Sequence, residues 1–134
     1  MSRKIFVNLP VKDLDRSVGF FTKLGFSFNP QFTDENATSM IIGEDAFVML
    51  LVEPFFQSFS KKDIADTSRS AEVIVALSAD SREAVDKLSD SALANGASAH
   101  ADPQDHGTMY GRSFRDLDGH IWEVMWMDPA ALEG

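Results

Sequence analysis

The sequence predicts an α+β protein made of two tandem βαβββ modules. Two observations carry this, and a third joins the modules. An apolar alternating segment followed by a helical stripe that stops at a glycine occurs twice, at 4–25 and 71–96. Three shorter strand-like stretches follow each occurrence. A single such module leaves one face of its sheet unburied, so two must pack together.

In the first module, "KIFVNLPV" reads as a strand, with Phe6 and Asn8 on one face and Ile5, Val7 and Leu9 on the other. Asp13 then offers a helix cap, and Leu14, Val18, Phe21 and Leu24 recur at helical spacing until Gly25 stops the helix. Strands are expected near 26–34, 37–43 and 46–53, separated by the turn signals "TDEN" and "GED". The module covers about 3–53. Residues 54–70, "PFFQSFSKKDIADTSRS", are too polar and irregular for a strand and read as a linker or mobile loop. Its Phe55, Phe56 and Phe59 are expected to cover a core or a cavity.

The second module, about 71–127, opens on the β-rich "AEVIVALS". Asp80 with Glu83 reads as a capping box, Val85, Leu88 and Ala92 as the buried stripe, and Asn95-Gly96 as the stop. Strands follow near 97–101, 109–115 and 121–127, with Asp118-Gly119 as a two-residue hairpin turn. The halves align with Phe6 against Glu72, Asp13 against Asp80, Gly25 against Gly96 and Met49 against Glu123. Side-chain identity between them is poor, so the elements repeat and the sequence does not.

Composition narrows the functional classes. One domain of 134 residues is long enough to bury a core without staples. Its net charge of −9 speaks against nucleic acid and anionic membrane surfaces, which attract basic stripes. With no cysteine, a disulfide, a thiolate metal site and a cysteine nucleophile are all ruled out. No apolar run approaches the length of a membrane span or signal peptide, and a cytoplasmic protein is expected.

The last strand raises the chemical question. In "IWEVMWM", Glu123 shares a face with Ile121, Met125 and Met127, and Trp122, Val124 and Trp126 take the other. A carboxylate in a strand apolar on both faces is costly unless something pairs with it. Either it faces a cavity as a functional acid, or it pairs structurally with an arginine such as Arg112 or Arg115.

"NLPVKDLDRSVGFFTKLGF", "DSREAVDKL" and "HGTMYGRSFRDLDGHIWEVMWMD", set in the doubled βαβββ pattern, resemble the vicinal oxygen chelate superfamily over about residues 3–128. That superfamily includes glyoxalase I, extradiol dioxygenases and the fosfomycin and bleomycin resistance proteins. The nearest likeness is to its bacterial lactoylglutathione lyase-like group. The resemblance implies a glyoxalase-like curved mixed sheet and metal ligands on the first and fourth strand of each half. Those positions correspond here to Phe6, Met49, Glu72 and Glu123. Phe6 has no donor atom and Met49 is a poor ligand for hard divalent ions, so Glu72 and Glu123 form an incomplete metal site. Shifting the first strand by two places Asn8 there instead, an amide oxygen of weak donor strength.

The remaining polar residues read more plainly. His100, His106 and His120 lie at a strand end, in a loop and beside a turn, and are expected to be exposed or turn-associated. "DLDG" lacks the further acids of a calcium loop and is a turn. Tyr110 is placed at the rim of the cavity, where its phenol would meet a ligand or pack at an edge. Trp122 and Trp126 are expected against the helix layer.

Three functions fit. The favoured one is a small-molecule cup without a complete metal site, walled by Phe6, Asn8, Met49 and Tyr110, with Glu123 or Glu72 meeting a ligand donor. The resemblance implies the second, a metal-dependent lyase or isomerase of the glyoxalase type, with Glu72 or Glu123 as base. The third is a structural or regulatory dimer. The cofactor is left open and a divalent metal is not favoured. A homodimer is expected, from the family and from an open sheet edge that invites pairing.

Overall fold

The computed structural model describes residues 3–132, which divide into two compact units between Ala65 and Asp66. In the first unit the order is β1 (Ile5–Val11), α1 (Leu14–Lys23), β2 (Ser27–Asn29), β3 (Ala37–Ile41), β4 (Ala46–Val52) and α2 (Glu53–Ser60). The strands form one mixed sheet in the order β1-β4-β3-β2, with β1 and β4 parallel and the other pairs antiparallel. Its core lies on the α1 side. Leu9, Val11, Met40, Val48 and Leu50 are buried there with Leu14, Phe20 and Phe21 of the helix.

Both long helices end by the same local rule. Gly25 has φ +102°, and Phe26 N–H reaches back to the Phe21 carbonyl at 3.1 Å. In the second unit Gly96 has φ +110°, and Ala97 N–H reaches the Ala92 carbonyl at 3.0 Å. Each closure satisfies carbonyls that the helix end would otherwise leave open, and each needs a residue tolerant of the left-handed region. Asp13 caps α1 by accepting from Arg16 N–H at 3.1 Å.

Two expectations for this unit are corrected. The strand near 26–34 is cut to Ser27–Asn29, because Pro30 has no N–H to give a ladder and starts a 3-10 turn over Pro30–Phe32. The supposed linker from 54 begins as a helix. Pro54 sits in the first turn of α2, where its missing N–H costs nothing, beside the acidic Glu53. Lys61 closes the helix in the left-handed region.

The second unit runs β5 (Ile74–Ser78), α3 (Arg82–Ala94), β6 (Ser98–Ala99), β7 (Gln104–Asp105), β8 (Met109–Arg115), β9 (Ile121–Met127) and α4 (Pro129–Leu132). Its sheet order is β5-β9-β8-β6, with the short β7 also on β8, and β5 and β9 are parallel. The two units therefore share the βαβββ arrangement, each with a parallel first and last strand. α3 packs on β8 and β9, burying Val85, Ala92, Phe114, Trp122 and Val124.

Here too the details differ from expectation. The cap of α3 is Ser81, which accepts from Ala84 N–H at 3.0 Å, rather than Asp80. The β8–β9 connection is also longer than Asp118-Gly119. It spans 116–120, with Gly119 N–H bonded to the Asp116 carbonyl at 3.0 Å and Gly119 at φ +84°. Asp116 organises it from inside. Its carboxylate accepts from the N–H groups of Asp118 and His120 at 2.9 and 3.0 Å, and from the Trp122 indole at 2.8 Å. His120 belongs to this turn, as expected of a turn-associated residue, and is buried in it. No described helix is long and apolar enough to cross a membrane.

Candidate functional site

Register in the second sheet decides what surrounds Glu123. Across β9 it faces Ser113 of β8 on one side and Ala76 of β5 on the other. Met125 is paired with Gly111, and Met127 with Met109, on the same face. A hollow of ≈ 140 Å³ opens over this face, lined among others by Glu123, Met125, Met109, Gln104, Asp102 and His100. Gly111 helps to make it. A Cβ there would stand 3.2 Å from Met125 Cγ, so any side chain would crowd the floor.

Glu123 is half-buried, and among the described residues its carboxylate has no hydrogen-bond or ion-pair partner. The two arginines that were candidates for it are engaged elsewhere. Arg112 Nη1 bonds Asp86 at 3.0 Å and Asp90 at 2.9 Å, on the helix side of the sheet. Arg115 Nη2 donates to the Ala99 carbonyl at 3.0 Å. An unpaired acid beside two thioethers is free to meet a ligand.

Glu72 is not in this site. β5 begins at Ile74, so Glu72 lies before the strand and is exposed. The alignment of Phe6 with Glu72 fails for the same reason. If Met49 matches Glu123, the two registers match Phe6 with Ile74 and Asn8 with Ala76. Tyr110 is also displaced from its expected place. It alternates onto the α3 side, where its hydroxyl donates to Asp86 at 2.6 Å. That bond, with Arg112 behind it, holds the Asp86 carboxyl below its ordinary range. The indole of Trp122 is likewise on this side and fully buried.

The first unit has its own hollow, ≈ 400 Å³, on the sheet face away from α1. α2 lies against β1 and β4, and the space is lined by Asn8, Leu51, Phe56, Phe59 and Ser60. Asn8 and Met49 are register neighbours on that face, but the amide nitrogen of Asn8 is tied to the Phe6 carbonyl at 3.2 Å. Phe6 stacks on Phe47 with centroids 5.1 Å apart and stays 50% exposed. Of the three phenylalanines expected to cover a cavity, Phe56 and Phe59 do line one, and Phe55 packs edge-on against Phe59.

These donors do not fit a metal centre. Phe6 offers no lone pair, Met49 offers a thioether, and Glu72 lies outside its strand. Among the described residues no three His, Cys, Asp or Glu side chains are gathered closely enough to hold an ion. Tight sites use three or four protein ligands.

Sequence reading missed most of the hollow's wall. Ser113 and Gly111 were within reach of alternation once β8 was paired with β9, but Asp102 and Gln104 sit in a stretch that reads only as loop, and His100 reads as a strand end with no sign of a site. Asp116 carried one signal, a carboxylate placed just before a turn with a tryptophan six residues on.

Known proteins share this fold. Residues 3–43 match the bleomycin resistance protein-like N-terminal family. The solved structure of hypothetical protein SA1046 from S. aureus is 29% identical, with a TM-score of 0.79 over 94% of this chain and 95% of that one. A glyoxalase/bleomycin resistance protein/dioxygenase family enzyme from Burkholderia phytofirmans PsJN matches at 16% identity and TM-score 0.77, covering 94% and 99%. The chain has the glyoxalase/bleomycin resistance/dioxygenase superfamily fold. A glyoxalase-related enzyme from Fulvimarina pelagi carries the same glyoxalase fold at 20% identity and TM-score 0.76, covering 94% of this chain and 88% of that one. No curated protein matches the chain. In this glyoxalase-fold chain, Glu123 lies on the last strand, and Phe6, Met49 and Glu72 bring no further placed donor suited to a hard ion.

Proposed function

We propose that the chain binds a small cationic molecule on a short apolar stem, with its ammonium group at Glu123 and without help from a complete metal site. The supporting observation is the unpartnered Glu123 carboxylate in a hollow whose walls include Met109, Met125, Gln104, Asp102, His100 and Arg112. Glu123 and Asp102 place two carboxylates on the hollow, while Arg112, which also lines it, is already held by Asp86 and Asp90. This balance favours a cation, and the net charge of −9 draws one in from solution. The methionine side chains adapt their shape to an aliphatic stem.

Heteronuclear NMR titration with n-butylammonium tests this, with n-butanol and butyrate as the uncharged and anionic counterparts. Saturable shifts confined to residues of the hollow are expected for the ammonium alone. Glu123→Gln should weaken binding roughly tenfold or more, the range of a charge-assisted hydrogen bond. Equal binding of butyrate, or an unchanged affinity in Glu123→Gln, would overturn the reading.

A lactoylglutathione lyase activity has weaker support, because it calls for a metal site that the donor set does not complete. Turnover of the glutathione–methylglyoxal hemithioacetal with zinc or nickel added would establish it instead. As to assembly, we propose a homodimer. β1 and β5 are edge strands in their sheets and carry Ile5, Phe6 and Ile74 exposed. Light scattering should give a mass near twice 14.8 kDa; a monomer at high concentration would refute it.

A further inference from the structure

The wall of the Glu123 hollow hangs on very little. β7 is two residues long and pairs with β8 through Gln104 opposite Gly111 and Asp105 opposite Tyr110, with one further bond from His106 N–H to the Met109 carbonyl at 2.8 Å. Every residue from 100 to 108 is exposed, so burial does not hold the segment in place. Yet His100, Asp102 and Gln104 all line the hollow.

Successive residues of a strand point to opposite faces. Gln104 therefore turns to the hollow while Asp105 turns to the α3 side, and there it meets Arg82, the first residue of α3. The guanidinium grips Asp105 with both ends, at 2.8 Å to each carboxylate oxygen, and reaches the Gly107 carbonyl at 2.9 Å. Asp105 also accepts from Gly107 N–H at 3.0 Å. The same guanidinium lies over the rings of Tyr110 and Trp126, 5.2 Å from each centroid. Tyr110 is fixed in turn by Asp86, and Asp86 by Arg112. A planar fork that stacks on two rings while binding a carboxylate bidentately is a task for arginine that lysine cannot perform.

We infer that Arg82 is a positioning residue for the hollow: it latches 104–107 from behind the sheet and so seats Gln104 and its neighbours over Glu123. This rests on reading the hollow as a ligand site. Arg82 does not touch the ligand. The pair is partly exposed, so its effect on global stability is small. Its effect is on the order of the wall, and a wall already in place spares the ligand the cost of ordering it.

The test compares wild type, Arg82→Gln, Arg82→Lys and Gln104→Ala as full chains. Hydrogen exchange should quicken in 100–107 in both Arg82 variants and stay unchanged in α3 and β9, with denaturation midpoints close to wild type. The affinity for n-butylammonium should fall about fivefold in either variant, as expected for a loss of preorganisation. In the Gln104→Ala background, Arg82→Gln should cost much less, because the wall residue it seats is gone. Unchanged exchange in 100–107, or full restoration by lysine, overturns the latch. If wild type does not bind n-butylammonium at all, the proposed function fails, while the exchange measurement still decides whether Arg82 holds the wall.

Discussion

Ala76, four residues beyond Glu72, is the residue of β5 that stands beside Glu123. The two glutamates are thus not partners across a strand pair. Glu123 keeps its place on the open face, and no second acid of β5 reaches it.

Glu123→Gln separates a structural from a functional carboxylate. With no arginine on Glu123, its loss leaves no buried cation behind, so the denaturation midpoint at pH 7 should be unchanged or higher. A buried ion pair would instead cost about 3–5 kcal/mol on losing one partner. A large drop in chemical denaturation would show that the carboxylate holds the fold.

Glu72→Ala should be silent. The residue is exposed and precedes its strand, and such surface changes shift stability by about 0.5 kcal/mol or less. Binding of n-butylammonium should also be unaffected. Any tenfold loss of affinity in the NMR titration would return Glu72 to the site.

Asp116→Ala should be severe. Three N–H donors converge on a carboxylate that is only 5% exposed. Removing it strands them, at a cost of about 2–4 kcal/mol, read from urea midpoints. The charge itself is not what stabilises. Burial pushes the Asp116 carboxyl above its ordinary range, despite the opposing pull of His120 and the three donors. A raised carboxyl favours the fold below its unfolded value and loses that contribution as pH rises through its folded value.

Asp86 titrates with the opposite sign. Its carboxyl is lowered by the Tyr110 hydroxyl first and by Arg112 second, against an ordinary value of 3.8. The stability it contributes is full above that value and is lost as pH falls through the lower folded one. The gap between wild type and Asp86→Asn should therefore be present at pH 6 and close as the medium is taken below 3.8. A gap that widens in acid would contradict the Tyr110–Asp86–Arg112 arrangement.

By itself the sequence determined the doubled strand–helix–three-strand order, the two helix stops and the spans of β8 and β9. Each rests on local physics. A glycine tolerates the left-handed closure of a helix, and apolar residues at period two or 3.6 choose strand or helix within a few neighbours. It also placed Glu123 on one face with Met125 and the tryptophans on the other, since alternation needs only the strand itself. Tertiary structure decided the rest. Where β5 begins, and so whether Glu72 reaches Glu123, depends on its register against β9. Which face Tyr110 takes is realised only with Asp86 of α3 to receive its hydroxyl. The helix at 53–60 forms against β1 and β4, and its sequence alone has too few turns to be stable. The hollow's wall is the clearest case: a loop-like stretch becomes part of a site because Arg82, more than twenty residues earlier, holds it from the other side of the sheet.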